Sequence, residues 1–351
     1  MRRLVPGILA LLVAGCGAQP SSIADGSVAR NDSGSNAPDG GADGGGVDAG
    51  SPTDSGWDGR PDAGALDAGA RDAGGPDAGA ADAGNWRSSL GTCWTDAACP
   101  RRMAVAHGGA WTASVPYDSN GALAAAWALG IDGVKIDVRV TADDIPVIAH
   151  SSPIQLYESL DCYNKTIETM TAVQVTACHR LPSTTETFQR LDDVLNYLRG
   201  KMVVQLTVKR PVDYARTIAE VHARNAEDFA FLEISTAELQ TLIPTLPGSS
   251  SVWYLINVAS NPGEVDTLVT LHNPRAFMVE FDPTVQLGTI VTAKLRPAGM
   301  RSFTYDSAAS PTVQQLRDHF DQGFQVVSAQ NAANDLQARQ GANQAGGVSP
   351  P

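Results

Sequence analysis

The sequence predicts an α/β fold, specifically a (β/α)8 TIM barrel preceded by a disordered linker. Three observations carry that prediction. Across the roughly 250 residues at the C-terminal side, a length that suits one large domain, short strand-like runs alternate with amphipathic helical runs. Eight such strands can be placed. In the run Val134-Lys135-Ile136-Asp137-Val138-Arg139-Val140 the even positions are apolar and the odd ones charged, the period-two signature of a strand. A doubly wound open sheet is the alternative, and the lack of a Gly-rich phosphate loop after the first strand weakens it.

The chain opens with Arg2 and Arg3, an apolar run over 4–14 and small residues before Cys16. That pattern predicts a secretory signal over 1–15, because the apolar run is far shorter than the ~20 residues of a spanning helix. Val13-Ala14-Gly15-Cys16 resembles the lipobox of bacterial lipoproteins. The resemblance implies cleavage before Cys16 and acylation of it, hence an exported protein lipid-anchored to a bacterial membrane, at the outer membrane or cell surface. Residues 16–85 are Gly, Ala, Ser, Pro and Asp with almost no large apolar side chain, and Asp-Ala-Gly recurs from Asp62, Asp67, Asp72, Asp77 and Asp82. No core can be built from this composition, so a disordered, self-repelling tether is expected. A calcium-binding repeat is the alternative, but the alternating apolar residues of a stacked solenoid are missing. The tether carries twelve Asp against three Arg, so most of the formal −13 charge belongs to it. The remainder has no basic stripe, which excludes a nucleic-acid surface.

The barrel is expected over 86–340, with a disordered tail at 341–351. Its strands are placed at 104–107, 133–140, 202–209, 229–234, 252–258, 276–282, 301–306 and 324–328. Helical patterns lie between them, for example at 213–224, 236–246, 312–322 and 332–340. Cys93, Cys99, Cys162 and Cys178 permit three pairings; the local one, Cys93 with Cys99 and Cys162 with Cys178, fits an exported protein. A zinc site is the alternative, although the spacings match no compact ligand pattern.

The stretch 103–150 holds the candidate chemistry. His107 and His150 each close a short apolar run, and Lys135, Asp137 and Arg139 share one face of the strand between them. Two imidazoles, a carboxylate and cations at strand ends suggest acid/base work on an anionic substrate. The plainer alternative is a solvated strand edge with two incidental histidines. In Met278-Val279-Glu280-Phe281-Asp282, Glu280 and Asp282 are expected on one face, with Phe277, Val279 and Phe281 on the other. Both carboxylates could join Asp137 in a relocated metal site, or pair with Lys135, Arg139 and Lys209. His179, His222, His272 and His319 read as surface or packing residues. Trp86, Trp94 and Trp111 read as packing residues or as the lining of an entrance.

The order of motifs over 103–340 resembles the glycerophosphodiester phosphodiesterase family, a branch of the phospholipase C-like barrel phosphodiesterases. His107-Gly108-Gly109 stands where that family has His-Arg-Gly, and Pro116-Tyr117-Asp118-Ser119 where it has Pro-Glu-Asn-Thr. Lys135-Ile136-Asp137-Val138 matches its Glu-x-Asp-Val, Val147-Ile148-Ala149-His150-Ser151 its Val-x-x-His-Asp, and Thr207-Val208-Lys209 its Glu-x-Lys. The resemblance implies a barrel, a glycerophosphodiester or phospholipid-headgroup substrate, and His107 and His150 as general acid and base. It also implies a divalent cation held by three carboxylates, of which only Asp137 is present; Lys135 and Thr207 replace the two glutamates, and Gly108 a phosphate-binding arginine. Calcium and magnesium want several oxygen donors. The expectation is therefore no cofactor, with Lys135, Arg139 and Lys209 supplying the positive field around the phosphate. Asp137-Val138-Arg139 also resembles the Asp-x-Arg of metal-independent bacterial phosphatidylinositol-specific phospholipases C. A catalytically inactive barrel that binds phospholipid headgroups or sugar phosphates is the alternative function.

Overall fold

The structure, a computed structural model, describes residues 86–348 apart from Thr92, Ser260 and Ala309. The expected signal over 1–15, the lipidation site Cys16 and the tether to residue 85 lie outside the described residues. No described helix is long and apolar enough to cross a membrane.

Ten strands follow in chain order: β1 (Met103–His107), β2 (Gly133–Val140), β3 (Pro146–Ile148), β4 (Gln189–Arg190), β5 (Val203–Val208), β6 (Ala230–Ser235), β7 (Trp253–Ala259), β8 (Ala276–Phe281), β9 (Arg301–Asp306) and β10 (Val326–Ala329). Eight of them close a parallel barrel in the order β1-β2-β5-β6-β7-β8-β9-β10, with β10 pairing back onto β1. The other two, β3 and β4, are an antiparallel excursion from the edge of β2. Every expected strand is found within two residues of its place, because each has apolar residues at least at alternate positions, which the barrel wall buries against the helices.

Helices α1 (Asn120–Leu129), α2 (Ala172–Thr176), α3 (Leu191–Leu198), α4 (Tyr214–Ala223), α5 (Thr236–Thr241), α6 (Glu264–Leu271), α7 (Val313–Asp321) and α8 (Ala332–Ala345) complete the chain. Local chemistry sets their ends. Ser119 caps α1 through the Ala122 amide, and Gly130 closes it in the left-handed region. Thr312 with Gln315 and Ser235 with Glu238 form capping boxes on α7 and α5. The helix expected over 236–246 stops at Thr241 and gives way to a 3₁₀ turn at Ile243–Thr245, where Pro244 cannot donate to the ladder. The tail expected from 341 is helical as far as Ala345; Asn343 is buried and bonds both backbone groups of Arg102.

The barrel has two cores. The larger lies between the barrel wall and the helices, from Ala104 and Ile136 round to Val327. The smaller plugs the N-terminal end of the barrel, where Trp86, Leu90 and Trp94 meet Met103, Phe231, Phe277 and Phe303. Trp94 is completely buried, its indole N–H donating to the Trp86 carbonyl at 2.7 Å. The Cys93–Cys99 disulfide closes this plug, and Cys162–Cys178 staples the excursion, so the local pairing is the one formed. Phe277 departs from expectation. A β-bulge pairs Tyr254 with Ala276 but Leu255 with Met278, and the extra residue Phe277 turns inward beside Met278 while Val279 and Phe281 face the helices.

Candidate active site

The candidate residues gather at the C-terminal mouth of the barrel, where barrel enzymes carry their chemistry. His107 ends β1, and Gly108-Gly109 turn the chain sharply behind it. Both glycines have positive φ, and a Cβ on Gly108 would lie 2.0 Å from the Tyr117 ring. Tyr117 thus fills the space that a side chain at 108 would need. Its ring lies between the two imidazoles, 5.4 Å from His107 and 6.2 Å edge-on from His150, so both histidines border one site. Tyr305 stacks on the other side of His107 at 4.4 Å. Trp111 packs edge-on against Tyr117 at 6.1 Å and donates to the His107 carbonyl at 3.1 Å, which places it at the mouth. Trp86 and Trp94 belong to the opposite end.

Asp137 is the electrostatic centre. It is fully buried; its Oδ1 pairs with the Lys135 ammonium and with that of Lys209 at 2.8 Å, and its Oδ2 accepts from the Tyr117 hydroxyl at 2.9 Å. Burial opposes ionisation of this carboxyl, but Lys135 and Lys209 override it and hold its pKa well below the carboxylate range. Burial works against the charge on Lys135, but Asp137 outweighs it and holds the ammonium's pKa above its ordinary value. Asp118, buried and facing the Asp137 charge, is pushed the other way and holds its proton. Its Oδ2 lies 3.3 Å from the Asp137 amide.

Both imidazoles are shifted toward the neutral form. Burial lowers the His107 pKa well below its ordinary value, with Lys135 adding to the effect, and its Nδ1 has no hydrogen-bond partner among the described residues. Burial also lowers that of His150, against the pull of Asp137. The backbone of His150 is held tightly. The Glu158 carboxylate accepts from the amides of His150 at 3.1 Å, Ser151 at 3.2 Å and Gln155 at 3.4 Å. The His150 Nδ1 meets the hydroxyls of Ser151 at 3.0 Å and Tyr157 at 3.1 Å.

Three expected participants stand elsewhere. Arg139 spends its guanidinium on the His150 carbonyl, at 2.9 and 3.1 Å, and on Glu168 at 3.2 Å, so it positions the histidine rather than joining the lysines around Asp137. Asp282 caps its own turn, accepting from the Thr284 amide at 2.8 Å and hydroxyl at 2.5 Å, instead of entering an ion network. Glu280 does face inward, but in no ion pair among the described residues. Burial and the nearby Glu233 raise its pKa well above normal, and its Oε2 is unpartnered among the described residues.

Glu233 is a residue that sequence reasoning missed. It accepts from Gln205 at 3.0 Å, Thr207 at 2.6 Å and Asn257 at 3.0 Å. The signal was available: it is the only charge in an otherwise apolar strand, on the inward parity of Phe231. Glu158 and Tyr157 gave no such signal, since nothing in a loop sequence says which residues fold back on His150.

The positions at which the resemblance implies cation ligands hold an ammonium at 135, a carboxylate at 137 with both oxygens engaged, and a hydroxyl at 207 that donates to Glu233. Among the described residues no group of three or more His, Cys, Asp or Glu is placed to hold a metal ion. An ammonium at 135 and a donating hydroxyl at 207 are not ligands for a divalent cation, and two ammonium groups converge there beside the two imidazoles.

Comparison with known proteins bears on the same residues. The family model described as the glycerophosphoryl diester phosphodiesterase family matches residues 110–338. No curated protein matches the chain. Among solved structures, a glycerophosphoryl diester phosphodiesterase from Parabacteroides distasonis is 15% identical with a TM-score of 0.60, covering 71% of this chain and 90% of that one. A glycerophosphodiester phosphodiesterase from Agrobacterium tumefaciens is 19% identical with a TM-score of 0.53, covering 67% and 99%. An Oleispira antarctica phosphodiesterase in complex with the product sn-glycerol-3-phosphate is 18% identical with a TM-score of 0.53, covering 69% and 96%. At these identities the likeness establishes the fold.

Proposed function

The chain belongs to the glycerophosphoryl diester phosphodiesterase family, and from that premise we propose that it hydrolyses phosphoric diesters by acid/base catalysis at His107 and His150, without a metal ion. The observation that carries this reading is the pair of ammonium groups, Lys135 and Lys209, converging on Asp137 beside two imidazoles that border one tyrosine ring. A diester phosphate entering there places its non-bridging oxygens against the two ammonium groups. They stabilise the charge that develops as water attacks phosphorus. One histidine, neutral as burial makes it, takes the proton of the attacking water. The other, protonated once an anion lies beside it, returns a proton to the departing alkoxide. The new P–O bond replaces the old one, and a monoester and an alcohol leave. Support for a glycerol-bearing diester comes from the Oleispira antarctica phosphodiesterase, whose complex holds sn-glycerol-3-phosphate as product.

The test is hydrolysis of bis-p-nitrophenyl phosphate and of glycerophosphodiesters with and without a chelator. We expect turnover that chelation leaves unchanged and that His107→Ala abolishes. Loss of turnover in chelator, restored by calcium, would overturn metal independence. No turnover combined with headgroup binding would leave a binding barrel. Export and anchoring through Cys16 are proposed on the same footing; two formed disulfides in the described residues support an oxidising compartment.

A further inference from the structure

The excursion after β3 carries a feature that the reaction above does not use. Of nine large apolar side chains exposed among the described residues, four fall within the eight residues from 156 to 163: Leu156, Tyr157, Leu160 and Tyr163, each 52–68% exposed. Between them Glu158, Ser159 and Cys162 are buried, so this segment has an inner polar and disulfide face, while its outer face carries the four apolar side chains and one carboxylate, Asp161. Scattered single hydrophobes need no explanation, but a contiguous group does. The group is held in place. Glu158 bonds the amides behind His150, and the Cys162–Cys178 disulfide and a small core of Ile154, Ile167 and Phe188 support it from beneath. It also begins at the chemistry, because the Tyr157 hydroxyl lies 3.1 Å from the His150 Nδ1.

We propose that this outer face is a subsite for the hydrocarbon chain of the substrate, so that the diester taken is an amphiphile of the lysophospholipid class. The proposal rests on His150 marking the reacting phosphate, as argued above. With the phosphate at Lys135 and Lys209, one ester arm leaves the mouth past His150 and Tyr157 and meets Leu156, Leu160 and Tyr163. An arm ending in glycerol alone would leave those side chains in water; an acyl or alkyl chain would cover them, and burying apolar surface is what supplies affinity.

The test compares binding of dodecylphosphocholine, below its micelle concentration, with that of glycerophosphocholine by titration calorimetry on the full chain. The expected result is about tenfold or more tighter binding of the chain-bearing probe. The Leu156→Ser/Leu160→Ser/Tyr163→Ser variant should lose that preference while keeping its rate on bis-p-nitrophenyl phosphate, since all three side chains are exposed and none has a part in the reaction argued above. Equal binding of the two probes, a preference unaltered in the variant, or binding to lipid vesicles but never to the monomeric probe would each overturn the subsite. A chain preference in a protein that hydrolyses no diester would support the subsite and sink the hydrolytic reading. Hydrolysis without chain preference would do the reverse.

Discussion

Asp137 carries more of the site than any other residue, because three donors share its two oxygens. A phosphate approaching Lys135 and Lys209 competes with it for the same ammonium groups, so removing either cation should cost catalysis directly. Lys209→Met is expected to lower kcat by about 10²–10³-fold, the usual effect of deleting one charge-stabilising donor, measured on bis-p-nitrophenyl phosphate. The pH profile follows from the two imidazoles. Burial lowers both pKa values, so the free enzyme keeps its neutral base to lower pH than a solvated histidine would. The acidic limb of kcat/KM should therefore fall below pH 6.5; a limb at or above that value would mean that neither ring is the base. Gly108→Ala tests the tyrosine between the rings. Its Cβ would collide with Tyr117 at a backbone angle of +68°, and activity should drop while the distant plug remains folded.

At the scale of elements, two devices hold the mouth and the floor. The Glu158 turn fixes the backbone of His150 through three amides, with Arg139 gripping the same residue's carbonyl from β2. Glu158→Gln keeps the shape but loses charge-assisted acceptance. It should reduce kcat more than KM and leave the melting curve nearly unchanged, because a positioning defect acts on the transition state. The N-terminal plug closes the other end. Trp94→Ala would remove a completely buried ring from the lower core and should cost about 3–5 kcal/mol in urea unfolding. The bulge in β8 belongs to this scale too: one extra residue turns Phe277 into the floor while leaving Glu280 facing the lumen.

For the whole molecule, the described residues 86–348 contain all three cores, the closed sheet and every group invoked in the reaction. Deleting 17–85 should therefore leave kcat/KM on a soluble diester within about twofold of the full chain, as the low-complexity composition of that segment predicts. A larger loss, in steady-state assays of the two proteins, would mean that the Asp-rich segment reaches the site.

The sequence by itself determined the barrel, since eight strand-like runs separated by helical ones admit few other closed arrangements, and strand parity alone put Lys135 and Asp137 on one shared face. It also marked His107 and His150, because both close strand-like runs. What only tertiary structure decided is which groups meet across strands and loops. Arg139 and Asp282 have the right chemistry and lie at ends of strand runs, yet each finds a nearer partner; Glu158 and Tyr157 enter from a loop with no local pattern, and Glu233, though the one charge of its strand, meets its partners only on the neighbouring strands. The physical reason is range. Periodicity records which way a side chain points from its own backbone, whereas charge pairing and loop closure depend on distances between residues far apart in the chain, which no local pattern encodes.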